Sequence, residues 1–306
     1  MATSADLSVN VGALRLTNPI IAASGTFGYG LEFSHLVDLN RLGGIVVKGL
    51  SIEPMEGAPA PRLCETAGGM LNAVGLQNVG VRAFVAEILP KLRAYHTAVV
   101  ANVFGKTVQE YVRVIEVLEG ADGLTAYELN ISCPNVGKGG VQFGSDPGLA
   151  AEVVGTVKRV SRRPLWVKLS PNVTDIGAIA RAVEGAGADV LTVANTYMGM
   201  SVDPQTRKSR LGNLTGGLSG PAIRPITVRL VYEVCQAVKI PVIGLGGIET
   251  AENVAEYLVV GAAAVQVGTA SFVDPRATER LVGGLEKWCV DENIFSMSEL
   301  RGSLGK

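Results

Sequence analysis

The stretch PVIGLGGIETAENVAEYLVVGAAAVQVGTA, residues 241–270, contains one complete structural unit and the start of the next. An apolar run at 241–245 ends in glycines, an amphipathic segment follows at 251–260, and a second apolar run at 263–267 ends in glycine again. Short, continuous apolar runs bounded by turn signals read as strands buried on both faces, the hallmark of a parallel sheet. Parallel neighbours need a crossover, and the amphipathic segment between them has the length and period of a helix.

The same unit recurs outward from this point to both ends of the chain. Apolar runs stand at 19–23, 44–48, 98–103, 127–132, 164–169 and 189–194, besides the two above. Helix-like segments occupy 79–95, 108–119, 149–161, 175–185, 222–237, 251–260 and 275–290. No linker or shift in composition interrupts the alternation, so residues 1–306 are expected to form one domain, an α/β fold of the (β/α)8 TIM-barrel type. The two widest intervals, after the second and sixth runs, leave room for added segments over the barrel mouth.

Composition sets limits on function. Hydrophobic residues make up 47% and charged residues 18%, enough apolar material for a large core and too little charge for disorder. The net charge of −1 favours neither nucleic acid nor an anionic membrane surface. No apolar run is long enough to span a bilayer, and the opening residues lack the blocks of a signal peptide. A reducing cytoplasm is therefore the expected location, with Cys64, Cys133, Cys235 and Cys289 unpaired. Those cysteines are too scattered for CxxC-type ligation, and with only His35 and His96 present no metal site is expected.

In a barrel, chemistry is carried at the C-terminal ends of the strands. The residues there are Ser24, Lys48 with Gly49, Asn102, Asn130, Lys168, Ala194 with Asn195 and Thr196, Gly246 with Gly247, and Gly268 with Thr269. A glycine after a strand is usually just a turn. A pair of such turns after the last two strands is the customary phosphate site of this fold, because backbone N–H groups can approach the anion closely. Lys168, in VKLSP, could snorkel to water, but beside a phosphate site it suits a ring system that gains negative charge on reduction. Cys133, in NISCPN, differs from an ordinary core cysteine: it lies just past a strand, before Pro134, at the hinge of a glycine-rich segment. Cys235 and Cys289 fall in helical stretches and read as core. In NAVGLQN, Asn72 and its neighbours could pair with a planar imide or form a plain polar turn, and spacing does not decide between these. His35 reads as a packing residue and the run 207–210 as a solvated loop.

Together NISCPN, VKLSPN, NAVGLQN, ANT at 194–196, GLSGPA at 217–222, GLGGI and VGTA resemble the class 1 dihydroorotate dehydrogenases, from about Leu7 to the last helix. The continuation NVGKGGVQFG and the GLQN turn are most similar to the class 1B catalytic subunit. The resemblance implies oxidation of (S)-dihydroorotate to orotate in pyrimidine biosynthesis, with one FMN per chain and Cys133 as the general base. It assigns FMN contacts to Ser24, Lys48, Gly49, Asn102, Asn130, Lys168, Ala194, Gly220, Gly246, Gly247, Gly268 and Thr269. It assigns substrate contacts to Lys48, Asn72, Ala73, Val74, Gly75, Leu76, Asn130, Asn135, Asn195 and Thr196. It further implies a partner subunit with FAD and an iron–sulfur cluster that passes electrons to NAD⁺, around a homodimer core within a heterotetramer. The alternatives are a fumarate-dependent class 1A homodimer and another flavin-dependent dihydropyrimidine oxidoreductase. A sugar-phosphate lyase or isomerase would be colourless, and a non-catalytic scaffold would leave Lys48, Cys133 and Lys168 without a role.

Overall fold

Valine, isoleucine and alanine dominate eight short strands that pair side by side in parallel and close on themselves. The computed structural model describes residues 5–132 and 142–305. An antiparallel hairpin comes first, β1 (Val9–Val11) and β2 (Leu14–Leu16). The barrel strands are β3 (Ile20–Ala22), β4 (Gly44–Leu50), β7 (Ala98–Val103), β8 (Ala126–Asn130), β9 (Leu165–Lys168), β10 (Val190–Val193), β15 (Val242–Leu245) and β16 (Ala264–Val267), and β16 pairs back onto β3. Each coincides with an expected run to within a few residues. The fold is the expected (β/α)8 barrel.

Two apolar layers hold it. Outward-facing residues such as Val99, Leu129 and Val167 pack under the surrounding helices. Inward-facing Ile21, Val46, Val100, Trp166 and Ile243 fill the lower interior, and Val11 and Leu16 of the hairpin cap that end. The bottom of the barrel is thus sealed by side chains, which leaves the opposite end for ligands.

The helices start where the sequence supplies caps. In α3 (Val108–Glu119), α4 (Pro147–Lys158) and α5 (Ile176–Gly185), the side chains of Thr107, Asp146 and Asp175 accept from the first-turn N–H groups of Glu110, Leu149 and Ala178. A reciprocal capping box of Thr250 and Asn253 opens α7 (Ala251–Val259), and α6 (Arg224–Ala237) precedes it. The chain ends through α8 (Ala270–Val273), α9 (Ala277–Asp291) and α10 (Met297–Leu300).

The segment expected as one helix over 79–95 is instead α1 (Val81–Ala83), a wider π turn (Phe84–Ile88) and α2 (Leu89–Leu92). Pro90 lies in that last piece, and proline cannot donate to the carbonyl four residues back, so the helical ladder must widen there. The two long intervals also hold more than loops. β5 (Leu63–Thr66) and β6 (Gly69–Asn72) come from the first, and β11 (Tyr197–Gly199) and β14 (Gly216–Ser219) from the second. They join as one antiparallel sheet in the order β11-β14-β6-β5, while β12 (Val202–Asp203) and β13 (Lys208–Ser209) form a separate ribbon. His35, expected to pack, is exposed in a turn.

Candidate active site

One cavity of about 290 Å³ opens at the C-terminal ends of the strands. All the expected cofactor and substrate positions within the described residues line it: Ser24, Lys48, Gly49, Asn102, Asn130, Lys168, Ala194, Gly220, Gly246, Gly247, Gly268 and Thr269, and with them Asn72 to Leu76, Asn195 and Thr196. Cys133 and Asn135 lie outside the described residues. The strand before them ends at Asn130, two residues earlier than expected.

The glycine wall is shaped for an approaching group. Gly246 and Gly247 have φ values of 157° and 65°, and a Cβ on Gly247 would come within 2.7 Å of the Gly220 carbonyl. At Gly268 a Cβ would meet Ala23 and Thr26 at 3.7 Å, an ordinary van der Waals contact. Beneath this wall the buried Tyr257 hydroxyl donates to the Gly246 carbonyl at 2.7 Å, and its ring packs so tightly on Gly244 that no side chain fits. The sequence reading missed Tyr257, which lies on the helix after the turn.

The polar wall comes from the other strands and from the added sheet. β4 changes register between Val47 and Leu50, and this irregularity contains Lys48 and Gly49. Burial pulls the Lys48 pKa below its ordinary value; Glu32 raises it in part and Arg62 adds to the fall. Asn72 donates to the Gly217 carbonyl at 3.1 Å, which ties β6 to β14 over the mouth. The turn after it has Gly75 at φ 74° and Leu76 at φ 58°, buttressed by Asn78, whose side chain donates to the Leu76 carbonyl at 2.9 Å. A leucine in left-handed backbone costs of order 1–3 kcal/mol, which the surrounding bonds must offset. Asn195 donates to Asn130 Oδ1 at 3.2 Å, so two of the expected ring-binding amides already orient one another.

The floor is Lys168, only 6% exposed, with its ammonium donating to Ser24 Oγ at 3.4 Å. Burial lowers its pKa, and Glu128 counteracts the fall. Glu128 is wholly buried and accepts from Asn102 Nδ2 at 2.8 Å, Thr192 Oγ1 at 2.8 Å and Gln266 Nε2 at 2.5 Å. Glu128, Thr192 and Gln266 were also missed. Their signal was present, since AYELN, VLTV and AVQV each place a polar residue between apolar neighbours in the interior of the strand.

Fold and site together define a β/α-barrel enzyme whose cavity is walled by glycine turns, amides and two lysines. A family model described as dihydroorotate dehydrogenase matches residues 6–288. A Solibacter usitatus chain provisionally named dihydroorotate dehydrogenase A (fumarate) is 56% identical over 97% of this chain and 98% of its own. The dihydroorotate dehydrogenase B (NAD(+)) catalytic subunit of Trichlorobacter lovleyi is 52% identical with the same coverage, and that of Geotalea daltonii 51% over 98% of each. Among solved structures, the enzyme of Eimeria tenella in complex with ferulenol superposes with a TM-score of 0.81 at 21% identity, covering 98% of this chain and 89% of that one. The chain belongs to the dihydroorotate dehydrogenase family.

Proposed function

We propose that this chain oxidises (S)-dihydroorotate to orotate with one bound FMN, in de novo pyrimidine biosynthesis, as a single FMN-binding barrel domain over residues 1–306. The observation that carries the reading is convergence: positions spread from Ser24 to Thr269, each expected to meet cofactor or substrate, border one cavity. The residues fit the cofactor. Gly246, Gly247, Gly268 and Thr269 leave space and backbone donors for a phosphate, and Ser24, Lys48, Gly49, Asn102, Asn130, Lys168, Ala194 and Gly220 border the remainder of the cavity.

FMN supplies the two-electron acceptor for the hydride that leaves C6 of the substrate. Cys133, as thiolate, takes the proton from C5. An ordinary thiol of pKa near 8.5 is only about 3% ionised at neutral pH, so this step should quicken on the alkaline side. Lys48 holds the substrate carboxylate. Asn72, Asn130, Asn135, Asn195 and Thr196, with the backbone of Ala73, Val74, Gly75 and Leu76, orient the ring and so lower the entropic part of the barrier. Lys168 offsets the negative charge that the ring system gains on reduction.

The B-type names of the Trichlorobacter and Geotalea relatives support an NAD⁺-linked assembly, in which a partner subunit with FAD and an iron–sulfur cluster meets a dimer of this chain in a heterotetramer. The Solibacter name supports a second reading, a fumarate-dependent homodimer. No helix among the described residues is long and apolar enough to cross a membrane, and we place the enzyme in the cytoplasm.

The test is optical. The purified chain, reconstituted with FMN if necessary, should absorb in the blue and bleach anaerobically when dihydroorotate is added, with orotate formed. A chain that stays colourless, or a bound flavin that dihydroorotate does not bleach, would refute the reading.

A further inference from the structure

The interior of the barrel changes character one layer below the cavity. Two residues beyond Val100, Ala126, Trp166, Val190 and Ala264 of the apolar lower layer, on the same strands and the same inward face, stand Asn102, Glu128, Lys168, Thr192 and Gln266. None of these five is more than 6% exposed. Among the described residues, Glu128 and Lys168 are the two acidic or basic side chains buried this deeply. An ion at such depth persists only if it is paired or richly hydrogen-bonded.

Glu128 meets the second condition without using Lys168. Its carboxylate accepts from three neutral donors, one on each of three other strands. One of those donors, Thr192, is the register neighbour of Lys168 on β10, and Asn130, two residues beyond Glu128, is its register neighbour on β8. The carboxylate is therefore held beside Lys168 from below, with no contact ion pair between the two among the described residues. The ammonium stays available to the cavity that it lines.

We propose that Glu128 is a positioning residue whose fixed negative charge keeps Lys168 protonated beneath the cavity, so that reduction of the flavin draws in one proton and not two. The inference rests on the reading that a flavin lies over Lys168. The other groups around Lys168 are Ser24, Asn102, Asn130, Thr192 and Gln266, all neutral. Lys48 stands elsewhere on the wall with Glu32 as its own counter-charge, and Glu249 borders the cavity. Without Glu128, burial would strip the proton from Lys168 while the flavin is oxidised. The charge acquired on reduction would then call it back from solvent.

The readout is the slope of the flavin midpoint potential against pH, measured on the holoenzyme by reductive titration against reference dyes between about pH 7 and 9. For a two-electron couple, each proton taken up contributes about 30 mV per pH unit. The wild type should show about 30, and Glu128→Gln, of the same shape but uncharged, about 60. Glu128→Asp should keep the wild-type slope. The double variant E128Q/K168R should restore it, because a guanidinium does not lose its proton in this range. A Glu128→Gln potential that shifts uniformly with no change of slope would reduce Glu128 to a structural role and overturn the proposal.

If Glu128→Gln does not fold, the wild type decides. NMR of isotope-labelled lysine, with Lys168 assigned by its loss in Lys168→Arg, should find the ammonium still charged at about pH 9. A neutral Lys168 at about pH 8 would overturn the proposal. A wild-type slope near 60 with a charged Lys168 would instead overturn the reading that places the flavin over this lysine.

Discussion

Lys48 is half buried, and its charge is easier to lose than that of a surface lysine because burial lowers its pKa while Glu32 holds it up. If Lys48 holds the substrate carboxylate as proposed, that carboxylate stays ionised throughout the alkaline range and the grip weakens as the ammonium deprotonates. KM for dihydroorotate should therefore rise as pH climbs toward the ordinary lysine value of 10.5. Glu32→Gln removes the raising charge and should move that rise to lower pH; an unmoved KM profile would show that Lys48 does not hold the carboxylate. Cys133, in its proposed role as base, should act in the opposite sense, since more of the thiol becomes thiolate as pH increases. Cys133→Ala should retain flavin yet slow its reduction by dihydroorotate by about 10²–10⁴-fold, read in a single turnover. Wild-type speed would assign the C5 proton to another group. Lys48 was legible as a cavity residue because it closes an apolar run, where an unpaired polar group is conspicuous, and it lines the cavity. Glu128, Thr192 and Gln266 escaped because the reading took the ends of strands as the site and their interiors as core. In a barrel, however, the inward face above the apolar layer also lies directly beneath the cavity, where Glu128 bonds Asn102 of the lining.

The glycine turn after β15 shows what a short element must do to meet an anion. Its backbone takes left-handed values at Gly247, and the Gly220 carbonyl would lie 2.7 Å from any Cβ there. Gly247→Ala should therefore displace the turn and weaken FMN binding by about tenfold or more, the equivalent of about 1.4 kcal/mol. Titration of the apoprotein can separate causes, because riboflavin lacks the phosphate. Its affinity should fall less than that of FMN, and an equal loss for both would mean that the turn does not read the phosphate. Strands and helices of the barrel were legible as apolar runs and amphipathic segments with caps. The small sheet was not: GMLN and GGLS are short, glycine-rich and only partly buried, and their pairing joins Asn72 to Gly217 across much of the chain. Local pattern does not encode so distant a register. The hairpin that seals the barrel bottom was missed for a related reason, since three-residue strands carry too few alternations to be recognised.

At the scale of the whole molecule, the open question is where the electrons go. The relatives divide in name between a fumarate-linked A form and an NAD⁺-linked B form. Fumarate, a small dicarboxylate, could enter where orotate leaves and use the same lysine. In the proposed B form, electrons would instead leave through the protein to a prosthetic group on the partner and from there reach NAD⁺. The isolated chain, reduced by dihydroorotate, is therefore expected to pass electrons readily to artificial dyes and barely to NAD⁺. Stopped-flow reoxidation with each acceptor in turn gives the answer. Rapid reoxidation by NAD⁺ alone would refute the need for a partner subunit. Rapid turnover with fumarate would move the chain to the A form, and Lys48→Ala should then impair both half-reactions, because donor and acceptor carboxylates would share one ammonium.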